Sequence, residues 1–200
     1  MGSTRLPGKV LLDLAGEPML ARVVRRVSRA RRVDEVLVAT TTEPHDDALA
    51  ALCAERGWRC FRGSETDVLD RYYQAAKSCG AGVVVRVTSD CPLIDPAVIG
   101  SAIEGLDLQQ ADYCANVLRR TYPRGLDVEA FTFATLETAW QAEARPDWRE
   151  HVTQFIVQNP DRFALTNLSS DDDHSDGEVE RIPEWSGVAA RRPASRPTAD

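Results

Sequence analysis

The chain has 200 residues, 43% of them hydrophobic and 28% charged, a composition that fits one soluble globular domain. Its formal charge of −7 argues against general nucleic-acid binding, which needs a basic footprint, so any bound phosphate must be caught locally. No run approaches the roughly 18 apolar residues of a membrane span, and polar Gly2–Lys9, with no apolar segment behind it, suggests neither a signal peptide nor membrane insertion.

Helix and strand patterns alternate along the chain. Glu17–Arg32 reads as a helix with Met19, Leu20, Val23, Val24 and Val27 on one face and arginines around the rest, a solvated basic face. Glu35–Thr40 is a compact strand ending in a threonine run, Glu43–Arg56 a helix stopped by Gly57, and Trp58–Phe61 a short strand. Ser64–Asp67 reads as a capping box. It opens a helix whose Val68, Leu69, Tyr72, Tyr73 and Ala76 face inward and which ends at Gly80.

Val83–Val87 is nearly continuously apolar, the pattern of a strand buried on both faces, and it runs into Thr88-Ser89-Asp90-Cys91-Pro92. A helix follows from Asp95-Pro96 to about Gln109. Asp112–Leu118 and Leu126–Phe131 read as strands, Phe133–Glu143 and Trp148–Asn159 as helices, and Phe163–Leu168 as a last strand. Such alternation predicts an α/β fold, three layers with a mostly parallel sheet between helices. Beyond Asp176 the apolar period stops and Pro183, Pro193 and Pro197 appear, so residues 1–176 are expected to form the domain and 177–200 a disordered tail.

The five cysteines (Cys53, Cys60, Cys79, Cys91, Cys114) show no CxxC pair and no nearby histidine. They read as free buried thiols of a reducing cytoplasm, neither zinc ligands nor a disulfide framework.

Three segments could carry chemistry. In Gly2-Ser3-Thr4-Arg5-Leu6-Pro7-Gly8-Lys9, small residues expose backbone N–H groups, hydroxyls can donate, and Arg5 and Lys9 supply charge, which is what a polyphosphate cradle requires. Of the 24 basic residues only Lys9 and Lys77 are lysines. The spacing is not that of a P-loop, and a disordered N-terminus fits the same residues equally well. Asp90 stands at the carboxyl end of the most apolar strand, where ligands of open α/β sheets collect. It suits either Mg²⁺, which is commonly held by one or two protein carboxylates plus phosphates and water, or a turn. In Arg124-Gly125-Leu126-Asp127-Val128-Glu129, Asp127 and Glu129 share one face of a period-two strand, to bind a hydroxyl, a metal or an amine, or simply to face water. Glu150-His151 lies outside the apolar stripe, and a surface histidine is its default.

With these residues in view, the chain resembles the acylneuraminate cytidylyltransferase superfamily, in its spore-coat-polysaccharide-type branch. The resemblance is carried by Met1–Val10, Phe61-Arg-Gly-Ser-Glu65, Asp67-Val-Leu-Asp-Arg-Tyr-Tyr73, Ser89-Asp-Cys-Pro-Leu-Ile-Asp95, Tyr122-Pro-Arg-Gly-Leu-Asp-Val-Glu129, Glu150-His-Val-Thr153 and Asn159-Pro160, in order along the chain. It implies the nucleotide-diphospho-sugar transferase fold and a reaction in which CTP and a sugar or sugar acid give CMP-sugar and pyrophosphate. It also implies that Gly2, Ser3, Arg5 and Lys9 hold the nucleotide and that Asp90 binds Mg²⁺. On the sugar side it implies Arg124, Asp127, Glu129 and His151, and it makes a homodimer an expectation.

Two departures accompany the resemblance. Family members carry a central strand before the Met-Gly-Ser-Thr loop, at which this sequence starts, and the match ends at Asp176, before a further metal carboxylate. Leaving a central strand out of the sheet would forfeit energy comparable to the ~5–15 kcal/mol stability of a whole domain. A catalytically impaired homologue, or a non-catalytic nucleotide-binding partner, is the alternative these ends favour. A nucleotide-sugar-dependent glycosyltransferase fits less well, because Asp90-Cys91-Pro92 lacks an Asp-x-Asp motif.

Overall fold

The computed structural model describes residues 8–177 and, as backbone, 186–191. After a 3-10 turn at Lys9–Leu11 come α1 (Met19–Val27), β1 (Glu35–Thr41), α2 (Asp47–Glu55), β2 (Arg59–Gly63), α3 (Val68–Cys79), β3 (Val83–Thr88) and α4 (Pro96–Leu108). Then follow β4 (Tyr113–Ala115), β5 (Glu129–Thr132), α5 (Phe133–Ala142), α6 (Pro146–Arg149), α7 (Gln154–Val157), β6 (Leu165–Asn167) and β7 (Ser186–Arg191).

The seven strands form one sheet in the order β2-β1-β7-β3-β5-β4-β6. β1 and β2 pair in parallel, as do β4 and β6, while β5 and β7 run antiparallel to their neighbours. The sheet is therefore mixed, with all but β5 and β7 pointing one way. Side-chain alternation on the strands builds a layer on each face. Leu37 and Ala39 of β1, Val84 of β3 and Phe131 of β5 pack with Leu69, Tyr72 and Ala76 of α3 and Leu136 of α5. On the opposite face Val85 and Val87 meet Val23 and Val27 of α1 and Ile99 and Ile103 of α4, and Val38 meets Leu49 and Cys53 of α2. The expected three-layer α/β/α architecture is the observed one.

Local signals explain the helix ends. Asp67 caps α3 by accepting from Asp70 N at 2.9 Å, and its own N–H donates to Ser64 Oγ at 2.9 Å. Gly80 ends α3 at φ 64°, left-handed, where a residue without Cβ is strain-free. Asp95 caps α4 through Ala97 N at 2.8 Å, with Pro96 in the first turn.

Two expectations are corrected. The single helix read over Trp148–Asn159 is two one-turn helices, α6 and α7, interrupted at residues 150–153, because Val152 and Thr153 turn inward. The tail read over 177–200 contains a strand. β7 lies between β1 and β3, antiparallel to both, with Val36↔Ala189 on one side and Val85↔Ala189 on the other. Two central ladders need a backbone partner, and a short run of small residues without apolar period can supply one. The other residues of that segment lie outside the described ones.

Candidate active site

The carboxyl ends of β1, β2 and β3 make one edge of the sheet, the edge where open α/β folds place ligands. At the end of β1, Asp46 is fully buried and accepts from Thr40 Oγ1 (2.5 Å), Thr41 Oγ1 (2.7 Å) and Thr41 N (2.9 Å). Burial opposes its charge, but hydrogen bonds, those from Thr40 and Thr41 among them, outweigh it and hold the carboxyl well below the usual range. The end of β2 is tied to β1 by Arg62, whose Nε donates to Thr41 O (2.8 Å) and Nη2 to Glu43 O (3.1 Å).

Lys9 occupies the 3-10 turn that follows Gly8, whose φ of 71° is left-handed. The turn is held by Val10, which packs with Leu20, Val24 and Val38, and Lys9 itself is only 2% exposed. Gly2, Ser3 and Arg5 lie outside the described residues. Asp90 follows β3 in a turn closed by Cys91 N donating to Thr88 O (3.2 Å) and Ile94 N to Cys91 O (3.0 Å). Arg26 of α1 clamps that turn, donating from Nε to Ile94 O at 2.7 Å. Asp90 is 4% exposed, and the contact its carboxylate receives is a weak one from Cys91 Sγ at 3.7 Å.

Among the described residues no three acidic, histidine or cysteine side chains cluster as a metal cage. A lone carboxylate suits Mg²⁺ arriving with a polyphosphate, since that ion takes most of its oxygens from phosphates and water. It does not suit zinc.

The four residues expected on the sugar side separate. Arg124 is exposed, and its N–H donates to Gly177 O at 3.1 Å. Asp127, just before β5, pairs with Arg120 at 2.6 Å. Glu129 is 6% exposed and closed in by Arg86 of β3, by Tyr113 Oη of β4 (2.7 Å) and by Thr153 Oγ1 (2.6 Å). Burial works against its charge, but Arg86 and the two hydroxyls prevail and hold it below the usual carboxylate range. With these partners Glu129 fastens the sheet to residues 150–153 and offers no open face to a sugar. His151 is exposed in the turn between α6 and α7. Beside it opens a groove of about 570 Å³ lined by Glu65, Thr66, Asp67, Pro146, Asp147, Arg149 and Glu150, narrowed by an Arg149–Asp67 pair at 2.8 Å.

Sequence reasoning missed Asp46, Arg71, Arg86 and Thr153. Arg86 carried a signal, a charged residue inside an otherwise apolar strand. Arg71 carried one only as a member of the resembling stretch Asp67–Tyr73, with no local pattern to single it out.

A mixed α/β/α sheet with a buried carboxylate at the carboxyl end of β3 is an architecture on which nucleotide-dependent transferases are built. A family profile described as cytidylyltransferase matches residues 1–180, and the chain belongs to that family of CTP-dependent nucleotidyltransferases. It is 41% identical over 167 residues to the uncharacterized protein MJ1063 of Methanocaldococcus jannaschii, covering 84% of this chain and 68% of that one. It is 34% identical to the spore coat polysaccharide biosynthesis protein SpsF of Bacillus subtilis, covering 85% and 72%. Against the 3-deoxy-manno-octulosonate cytidylyltransferase of Geobacter sulfurreducens identity is 45%, over 52% of this chain and 41% of that one. Among solved structures, a cytidylyltransferase from Leptospira borgpetersenii superposes with a TM-score of 0.85 at 33% identity, covering 91% of this chain and 77% of the other. Among the described residues no helix is long and apolar enough to cross a membrane.

Proposed function

We propose that this protein transfers the cytidylyl group of CTP to a sugar or sugar acid, of the nonulosonic type, yielding a CMP-sugar and pyrophosphate for surface-polysaccharide synthesis. The observation that carries the proposal is the buried Asp90 carboxylate at the end of β3, within a chain matched almost throughout by the cytidylyltransferase family. A relative named for 3-deoxy-manno-octulosonate, an eight-carbon sugar acid, supports a sugar-acid substrate, and one named for spore coat polysaccharide biosynthesis supports the polysaccharide role. The five free cysteines suit the cytoplasm, where thiols stay reduced.

In the reaction a sugar hydroxyl oxygen bonds to the α-phosphorus of CTP. The bond from that phosphorus to the bridging β-oxygen breaks, pyrophosphate leaves with the electron pair, and the hydroxyl proton passes to solvent. Such a transfer needs alignment and charge neutralisation more than covalent help. Mg²⁺, when bound, supplies charge neutralisation at the phosphates. Asp90 holds the ion. Gly2, Ser3, Arg5 and Lys9 would supply the phosphates with N–H groups, a hydroxyl and two cations. Asp127, Arg124 and His151 are the residues left to orient the sugar.

The test is pyrophosphate release from CTP with Mg²⁺ and a panel of sugar acids that includes 3-deoxy-manno-octulosonate, with mass spectrometry of the product. A CMP-sugar is the expected result. Release from no member of the panel would remove the sugar-acid assignment.

A further inference from the structure

Arg71 on α3 is 5% exposed, yet no carboxylate lies within ion-pair distance of it among the described residues. Its Nη1 donates to Ser64 O, and its stem runs under Gly63, where an added Cβ would stand 3.0 Å from Arg71 Cγ. Among the described residues its Nε has no acceptor, and the hydrogen bond its guanidinium makes is from Nη1, not Nη2. These two N–H groups form one edge of the guanidinium, with parallel donors spaced for two oxygens of a carboxylate or phosphate.

Several other arginines spend that edge. Arg145 places Nε and Nη2 on the two oxygens of Glu143 at 2.9 and 2.8 Å. Arg62 and Arg26 place theirs on backbone carbonyls. Arg86 leaves Nε unused, but Glu129 matches its charge. Burial lowers the Arg71 pKa and outweighs Asp46 and Glu65, which act on it only from beyond ion-pair distance, the cost expected of a buried cation with no directly paired carboxylate. Arg71 stands beside the end of β2, on the ligand-collecting edge of the sheet.

We propose that Arg71 is an oxyanion-binding residue, whose Nε–Nη2 edge takes two oxygens of a ligand phosphate or carboxylate seated beside Gly63 and Ser64. The choice of CTP as the phosphate source rests on the function proposed above. The oxyanion site itself does not.

The test is calorimetric titration of wild type, Arg71→Gln and Arg71→Lys with sodium tripolyphosphate, with CTP plus Mg²⁺, and with 3-deoxy-manno-octulosonate, alongside ligand-free melts. Arg71→Gln should weaken tripolyphosphate and CTP about tenfold or more, with a ligand-free Tm that is unchanged or higher, because a buried charge with no directly paired carboxylate is gone. Arg71→Lys keeps the charge and the fold but loses the paired donors, and should bind at an intermediate level. A loss confined to the sugar acid would support the site and make its anion a carboxylate. If wild type binds tripolyphosphate but not CTP, and Arg71→Gln loses that binding, the site stands and the nucleotide reading falls. Unchanged affinities in both variants would overturn the site and leave the nucleotide reading standing. A wild type that binds none of the three ligands would also overturn it.

Discussion

Arg86 of β3 and Glu129 of β5 are register partners across an antiparallel ladder and form an ion pair beneath the active-site edge. The Glu129 carboxylate also accepts from Tyr113 and Thr153, so it joins β3, β4 and β5 to the turn that carries His151. Removing one member of a buried ion pair leaves the other uncompensated and costs about 3–5 kcal/mol. Glu129→Ala should lower the urea-unfolding free energy by that order, and Arg86→Met with Glu129→Leu should recover much of the loss. A Glu129→Ala variant as stable as wild type would show that the network carries no weight.

Acid should unfold the protein through Glu129 and Asp46. Both carboxyls are held below their ordinary values, so each contributes stability that is fully present above about pH 4–5 and is lost as pH falls through its folded value. Chemical denaturation between pH 7 and pH 3 should show stability falling on the acid side. In Asp46→Asn that fall should be shallower, from a lower starting point. An equal slope in both proteins would remove Asp46 from the account.

β7 closes the ladders of β1 and β3 with its backbone. Ending the chain at residue 177 should therefore abolish the cooperative melt, and Ala189→Pro, which deletes a donor inside a central strand, should lower Tm sharply. Hydrogen exchange offers a direct readout: amides of β1 and β3 should lose protection in both variants. Protection retained by the β1 and β3 amides that face β7 would contradict this placement.

The thiols should react in a set order. Cys60 is partly buried, and its pKa is lowered, first by a hydrogen bond from Cys53 and then by the charge of Arg62 acting against burial. Burial pushes the Cys114 thiol up to about 11. Iodoacetamide at neutral pH should label Cys60 first and leave Cys114 unmodified in the native protein, as read by peptide mass spectrometry. Early labelling of Cys114 would mean that the packing of α4 on β4 opens easily.

Much of this fold was legible because period-two and helical patterns follow from burial that neighbouring residues share. β1, α3, β3 and α4 fall within a few residues of where Glu35–Thr40, the Ser64–Gly80 segment, Val83–Val87 and Asp95–Gln109 place them. The site was legible only in part. Asp90 stands at a strand end as its spacing implies, whereas the role of Glu129 depends on Arg86, 43 residues away, which no local pattern contains. The break between α6 and α7 escaped for the same reason, since Thr153 leaves the helical path to meet Glu129. β7 escaped because its place depends on vacant backbone groups of β1 and β3 and not on its own side chains.

The most direct test is thermal unfolding of wild type and Asp90→Asn with Mg²⁺ and each of CTP, UTP, ATP and GTP. Ligand at ~100 Kd adds about 2.7 kcal/mol, roughly 5–10 °C for a domain of this size. The account predicts a rise of that order in wild type with CTP, largest with Mg²⁺, and loss of the metal-dependent part in Asp90→Asn. No rise with CTP, or an equal metal-dependent rise in Asp90→Asn, would contradict it.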